Sequence, residues 1–385
     1  MEFQEKQNID VRIQHEVLEI DPKQQRVQVQ SLETGKTWWD PYNQLMVATG
    51  AVPMRPDVLG VDAEGIYGAD TIKTAIKIND ILDRKQPEHA VVVGGGYIGL
   101  EMAEALVLRG LKVSLVEQAD EVMNTLDADM GALVSAALEE AGVTLYRQES
   151  LQGFDVRSGH VKAVITDKRE IPADMVILGM GVRPNSALAE QAGIPLGEKD
   201  AIKVNDRMQT DIENIWSAGD CVESFHLVSK KPFYVALGTV ANKQGRVAGI
   251  NIGGGHATFP GAVGTAISKI CDVGVARTGL QAKEIESLGL SYVSSKIESK
   301  TRAGYYPDAQ DITVKVLAES GSGRLLGGQI VGKGGAAKRV DVLATALHAG
   351  FGVQDMIHLD LSYAPPFSPV WDPVLIAVRQ VLKKI

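Results

Sequence analysis

The chain has 385 residues, 45% of them hydrophobic and 23% charged, the balance of an ordinary globular protein too long for a single core. Its formal net charge of -9 argues against nucleic-acid binding, which rests on a basic stripe. No apolar run approaches the roughly 20 residues of a membrane span, the N-terminus lacks an apolar signal core, and Cys221 and Cys271 form no CxxC pair or disulfide framework, so a reducing cytoplasm is expected.

In chain order, Val11, Ile13, Val17 and Ile20, then Val27, Val29, a turn at 33–35 and the apolar segment 45–48 predict a meander of short strands. Such a meander cannot bury a core alone and must belong to a larger domain. Residues 69–84 carry Ile72, Ala75, Ile76, Ile78, Ile81 and Leu82 at helical spacing and predict a surface helix. Residues 90–93 predict a buried strand, 98–109 a helix ended by Gly110, and 113–116 the next strand. A helix at 130–141, a strand at 143–145 and another at 175–178 continue the alternation. That order implies an α/β fold with a parallel, doubly wound sheet. Near Asp200 the texture changes: Ile202–Val204, a polar turn and Ile215-Trp216 lead to Ala218-Gly219-Asp220, followed by a helix at 235–251. Beyond Phe259 comes an α+β unit with a hairpin (313–317 and 325–331) and a helix at 336–349. In that helix Val340, Leu343 and Leu347 form an apolar stripe suited to a partner.

The most informative segment is Gly94-Gly95-Gly96-Tyr97-Ile98-Gly99, a GxGxxG loop between strand and helix. The first glycine makes the tight turn, the second lets backbone approach a pyrophosphate, and the third packs helix on strand. The diphosphate then meets the free N–H groups of the helix N-terminus. Glu117 closes the second strand, where a carboxylate accepts from a ribose 2′-OH and repels a 2′-phosphate, favouring NAD(H) over NADP(H). Gln118 and Arg109 are the neighbours able to modify that preference.

Across nearly its whole length the chain resembles the pyridine nucleotide–disulfide oxidoreductases, in particular their NADH oxidase and coenzyme A-disulfide reductase branch. The segment 45–50, ending Ala48-Thr49-Gly50, resembles the family's ATG strand, and 178–185 the loop closing its NAD domain. Residues 210–220, ending in Asp220, resemble the second FAD motif, and 241–246 the helix behind the flavin. Tyr305-Tyr306-Pro307 and the segment from Tyr363 to Ser368 resemble C-terminal interface motifs. The resemblance implies two Rossmann-like domains, FAD-type and NAD-type, with a C-terminal α+β dimerisation domain and a homodimer acting on a small-molecule substrate. The expected regions are 1–68 with 201–257 for FAD, 69–200 for NAD(H), and 258–385 for dimerisation.

The resemblance also assigns roles. Asp220 accepts from ribityl hydroxyls, or serves as a helix N-cap, which Asp also favours. Tyr97 gates the flavin face, or is a packed Tyr at a helix start. Glu101 lies near the nicotinamide, or is a solvated helix charge. Gly181 is a close-approach glycine by the cofactor, or an ordinary turn. Val17, Ala48, Thr49 and Gly50 fall on flavin-domain positions. Tyr305 and Tyr363 match active-site tyrosines contributed by the partner subunit, where a phenol donates to a leaving thiolate, or else pack an interface. Lys338 and Arg339 are a solvated helix face, or contact phosphate. The seven histidines are scattered, so no metal site is expected.

Two family features are not found: nothing before Gly94 has a second GxGxxG form, and no cysteine precedes Cys221. The expectation is an N-terminally truncated or mis-started member, with the meander as the remainder of its FAD domain. Cys221, which follows Asp220, is either redox-active or a small buried residue, and Cys271 sits in an apolar strand context. The leading function is transfer of hydride from NADH through FAD to a disulfide, a polysulfide or oxygen. The alternative is a non-catalytic NAD(H)-binding remnant that dimerises without retaining FAD.

Overall fold

The computed structural model of the protein describes residues 2–69 and 71–385, so residue 70 of the helix expected at 69–84 lies outside the described residues. The chain divides into two compact units. One holds the residues up to Val52 with Arg183–Phe225 and Pro232–Gly261; the other holds Pro53–Val182, His226–Lys231 and Ala262–Ile385.

The second unit is built on a five-stranded parallel sheet in the order Ile66–Gly68, Met175–Leu178, His89–Val93, Lys112–Val116 and Thr144–Tyr146. Its central strands are apolar throughout because both faces are covered. Ala90 and Val92 pack with Leu100, Ala103 and Leu106 of the helix Tyr97–Leu108 and with Met130, Val134 and Leu138 of the helix Ala128–Glu140. Val91 and Val93 face the other way, onto Phe154, Val161, Val164 and Ile171. Those residues belong to a three-stranded antiparallel sheet (Leu151–Arg157, His160–Thr166, Glu170–Pro172) absent from the sequence reading. Its first turn, Ser158-Gly159, has positive φ at both positions, as a type I′ hairpin requires.

The same unit contains a five-stranded antiparallel sheet in the order Ala266–Ile270, Val273–Gly279, Leu325–Gly332, Asp311–Glu319 and Tyr292–Lys300. The helices Ala336–Ala349 and Pro373–Leu382 pack on it. The stripe Val340, Leu343 and Leu347 is buried in this core, at 1%, 0% and 7% exposure. It serves the protein's own sheet and not a partner: helical spacing shows that one face is covered, but not by what.

In the first unit the meander forms His15–Asp21, Arg26–Ser31 and Thr37–Pro41, all antiparallel. Val11 and Ile13 precede it outside any strand, and a short helix, Glu2–Gln7, comes before them. Leu45–Val47 pairs in parallel with Ile215–Ser217, and Glu223–Phe225 pairs with Pro232–Tyr234. Ile202 makes single bridges, and its N–H donates to Cys221 O while Lys203 N–H donates to Pro195 O. The helix expected at 235–251 runs Gly238–Ile252. Ile20, Val47, Ile194, Ile202, Ile215, Cys221 and Val222 form this unit's core.

Candidate functional site

The glycine loop lies where the spacing put it, between the strand His89–Val93 and the helix Tyr97–Leu108, with Gly96 as the N-cap. Gly94 has φ +102, and a Cβ there would sit 2.6 Å from Gly179 O. A Cβ on Gly99 would collide with Gly94 O, so the helix packs on the turn only because Gly99 lacks one. At Gly96 a Cβ would meet nothing nearer than Gly179 O at 4.0 Å, which leaves open space above the helix N-terminus. Ile98 and Tyr97 begin the helix half-buried, with free first-turn N–H groups as at any helix start. The geometry therefore suits a diphosphate.

Glu117 immediately follows the strand Lys112–Val116 and is buried. Its Oε2 accepts the Gly95 N–H at 2.6 Å and its Oε1 accepts the Ala119 N–H at 2.8 Å. The carboxylate thus shapes the loop and keeps further lone pairs for a ribose hydroxyl. A Cβ on Gly95 would lie 2.9 Å from Oε2, which explains the middle glycine. Gln118 is exposed beside it. Arg109 sits at the far end of the glycine-loop helix, ~20 Å along its axis from Gly96, and pairs with Asp83. It is out of reach of a 2′-phosphate.

Tyr97 receives a long hydrogen bond from Thr125 Oγ1, at 3.5 Å. Glu101 accepts from Ser268 Oγ, so it is not simply a solvated charge. Gly181 has φ +89, open space where a Cβ would be, and a carbonyl that accepts Met54 N–H at 2.9 Å.

In the first unit, Thr49 and Gly50 are tied to Asn185. Thr49 Oγ1 donates to Asn185 O at 2.5 Å, Asn185 Nδ2 donates back to Thr49 O at 3.3 Å, and Asn185 N–H donates to Gly50 O at 2.9 Å. Val17 is exposed on the strand His15–Asp21, and Ala48 is exposed just after the strand Leu45–Val47. The strand before Asp220 ends at Ser217 and the next helix starts only at Gly238. Asp220 is therefore no helix N-cap. Instead it lies in a turn set by Gly219 at φ +96, whose N–H donates to Gln244 Oε1 at 3.1 Å. Asp220 Oδ1 is buried with no hydrogen-bond partner, and burial raises its carboxyl above the usual range. A buried orphan acceptor is costly and matches a site for a hydroxyl donor. Tyr234 donates to Asp220 O at 2.9 Å, and burial pushes its phenol up to about 12, keeping it a donor. Tyr234 carried no sequence signal; Gln244 lies in the segment 241–246 that resembles the helix behind the flavin, but its bond to Gly219 comes only with the fold.

Cys221 Sγ is fully buried, 3.5 Å from Ser217 Oγ and Ala218 O, the environment of a small packed residue. Cys271 lies in the turn between two strands at φ +51, not in a strand, and burial raises its thiol. Tyr305 and Tyr363 come together: the neighbouring Tyr305 hydroxyl raises the Tyr363 phenol, and both rings are exposed. Lys338 is a solvated helix charge paired with Asp341, whereas Arg339 is buried, with its guanidinium on Asp372. Arg339 therefore belongs to neither expected role. Among the described residues no helix is long and apolar enough to cross a membrane.

The family model described as pyridine nucleotide-disulphide oxidoreductase matches residues 2–245, and the dimerisation domain of the same family matches residues 265–373. A protein named NAD(P)H sulfur oxidoreductase (CoA-dependent), from Pyrococcus furiosus, is 37% identical over 99% of this chain and 85% of its own length. One named NADH oxidase, from Methanocaldococcus jannaschii, is 35% identical over 100% of this chain and 85% of its own. The solved structure of an NAD-dependent persulfide reductase from A. fulgidus superimposes with a TM-score of 0.96 at 40% identity, covering 99% of this chain and 71% of that one. These likenesses do not favour the non-catalytic remnant. The chain belongs to the pyridine nucleotide-disulphide oxidoreductase family and is an oxidoreductase of that class.

Proposed function

We propose that the protein is an FAD-dependent NADH oxidoreductase that reduces a sulfur acceptor, a disulfide or polysulfide, as a homodimer in the cytoplasm. The observation that carries the reading is the glycine loop with Glu117 bonded into it, a nucleotide cradle whose acid favours a free ribose 2′-OH. Support for FAD is the orphan Oδ1 of Asp220, placed to accept a hydroxyl at the turn that resembles the second FAD motif. When bound, the flavin supplies the relay of electrons between nicotinamide and acceptor.

The chain's own residues bind and orient. The Gly94–Gly99 backbone and the helix N-terminus hold the diphosphate, and Glu117 holds the ribose. Thr49, Gly50 and Asp220 hold the flavin side. Tyr305 and Tyr363 stand on the acceptor side, where a neutral phenol donates its proton to a leaving thiolate. One NADH and one proton thereby turn a disulfide into two thiols. Support for the homodimer is the match to a dimerisation domain and the exposed rings around these tyrosines, with Tyr305 at 78% and Phe367 at 77% exposure.

The test is spectroscopic. The purified protein is expected to show flavin absorption near stoichiometry, bleached anaerobically by NADH more readily than by NADPH, and restored by a disulfide or polysulfide. A colourless protein that binds NADH would overturn the flavin assignment, and recolouring by oxygen alone would overturn the sulfur acceptor.

A further inference from the structure

The tyrosines Tyr305 and Tyr363 sit on two loops far apart in sequence, both exposed and neither part of a helix or strand. Something must hold them in register, because two exposed loops outside any helix or strand are soft. Beneath them lies Arg339, on the first turn of the helix Ala336–Ala349 and only 7% exposed. Its Nε donates to Asp372 Oδ2 at 2.8 Å, and its Nη2 donates to Thr301 O at 2.9 Å. Thr301 begins the loop that carries Tyr305, and Thr301 N–H and Gln310 N–H close that loop on each other's residues. Asp372 ends the segment that carries Tyr363. Its Oδ2 also accepts from Ser368 Oγ at 3.2 Å, and its Oδ1 caps the following helix through Val374 N–H at 2.9 Å. Directly above, Ala303 N–H donates to Pro365 O at 3.3 Å, joining the two loops.

We infer that Arg339 is a positioning residue for the tyrosine pair: one planar guanidinium bonds both loops at once and sets the distance between Tyr305 and Tyr363. The chemistry requires arginine, since a lysine keeps the charge beside Asp372 but lacks a fixed fork to span Asp372 and Thr301 O together. Gly335 at φ +71 fits the same device, because a Cβ there would collide with the guanidinium. The inference rests on the reading of the two tyrosines as acceptor-side groups.

The experiment compares Arg339→Lys, Tyr363→Phe and the double variant in the intact protein. Arg339→Lys is expected to lower kcat for a disulfide acceptor by roughly 10- to 100-fold, as loss of alignment does, while NADH reduction of an artificial dye is unchanged. The double variant is expected to fall no further than Tyr363→Phe alone, because both changes act on one unit. Additive losses, or an equal loss of the dye reaction, would overturn the inference. The second measurement needs no turnover: the ionisation of Tyr363, isolated as the ultraviolet difference between the protein and Tyr363→Phe. Arg339→Lys is expected to return that raised midpoint toward an ordinary phenol, and an unmoved midpoint overturns the inference. Should Tyr363→Phe leave disulfide turnover intact, the acceptor-side reading fails, and the ionisation result alone judges the role of Arg339.

Discussion

Glu117 Oε2 lies 2.6 Å from the Gly95 nitrogen, so the acid at the end of one strand is built into the phosphate loop at the end of its neighbour. The two nucleotide contacts expected from the sequence, diphosphate and ribose, are therefore mechanically linked. Glu117→Ala is expected to weaken NADH binding by about 10- to 100-fold, the loss of a charge-assisted hydrogen bond worth ~1.5–3 kcal/mol. NADPH, which gains from removal of the repelling carboxylate, is expected to lose less. Fluorescence titration with both nucleotides checks this, and equal losses would refute the ribose role.

Gly94 combines φ +102 with a Cβ position 2.6 Å from Gly179 O, whereas Gly110 has φ +84 with open space around it. Gly110→Ala isolates backbone strain and is expected to cost about 1–2 kcal/mol. Gly94→Ala must also move the strand-end backbone, so it is expected to cost more and to abolish NADH binding. Denaturant melts of both variants, with nucleotide titration, make the comparison.

His226 is buried, and its Nδ1 accepts the Val228 and Ser229 N–H groups, each at 3.2 Å. Burial, helped by Arg277 and Lys230 and opposed by Glu284, lowers it from 6.5 to about 4. Between those values the unfolded chain binds a proton that the folded one refuses, so stability falls as pH drops from 6.5 toward 4. The size is ~3 kcal/mol at most. His226→Asn, which retains an acceptor for the turn, is expected to flatten this part of the stability–pH curve measured by urea melts.

Lys315 reaches from the antiparallel sheet to the start of the helix Ala128–Glu140, with Nζ 2.8 Å from Asp127 Oδ2 and 2.7 Å from Asp129 Oδ1. Its side chain and that of Asp127 are 11% and 8% exposed. Lys315→Met strands a buried carboxylate, and a loss of roughly 3–5 kcal/mol is expected. Lys315→Met combined with Asp127→Asn is expected to recover part of it, because the uncompensated charge is gone. Thermal melts of the unaltered protein, Lys315→Met, Asp127→Asn and the double variant measure the coupling.

Local chemistry was legible in the sequence. The glycine loop, its strand and helix, and the helix Ala336–Ala349 follow from spacing and turn residues alone, because each signal spans a few neighbours. The hairpin sheet Leu151–Pro172 was missed because bulges between Leu151 and Gly153 and between Asp155 and Val156 break the period.

By itself the sequence determined the α/β plan, the glycine loop with the acid that ends the neighbouring strand, and the resemblance that names the family. Only the tertiary structure decided what each side chain faces. It turned the stripe of Val340, Leu343 and Leu347 inward, left Asp220 Oδ1 without a donor, and buried Arg339 under two tyrosine loops that lie 58 residues apart between Tyr305 and Tyr363. Periodicity and motif are properties of adjacent residues, while burial and partnership are properties of the packed chain.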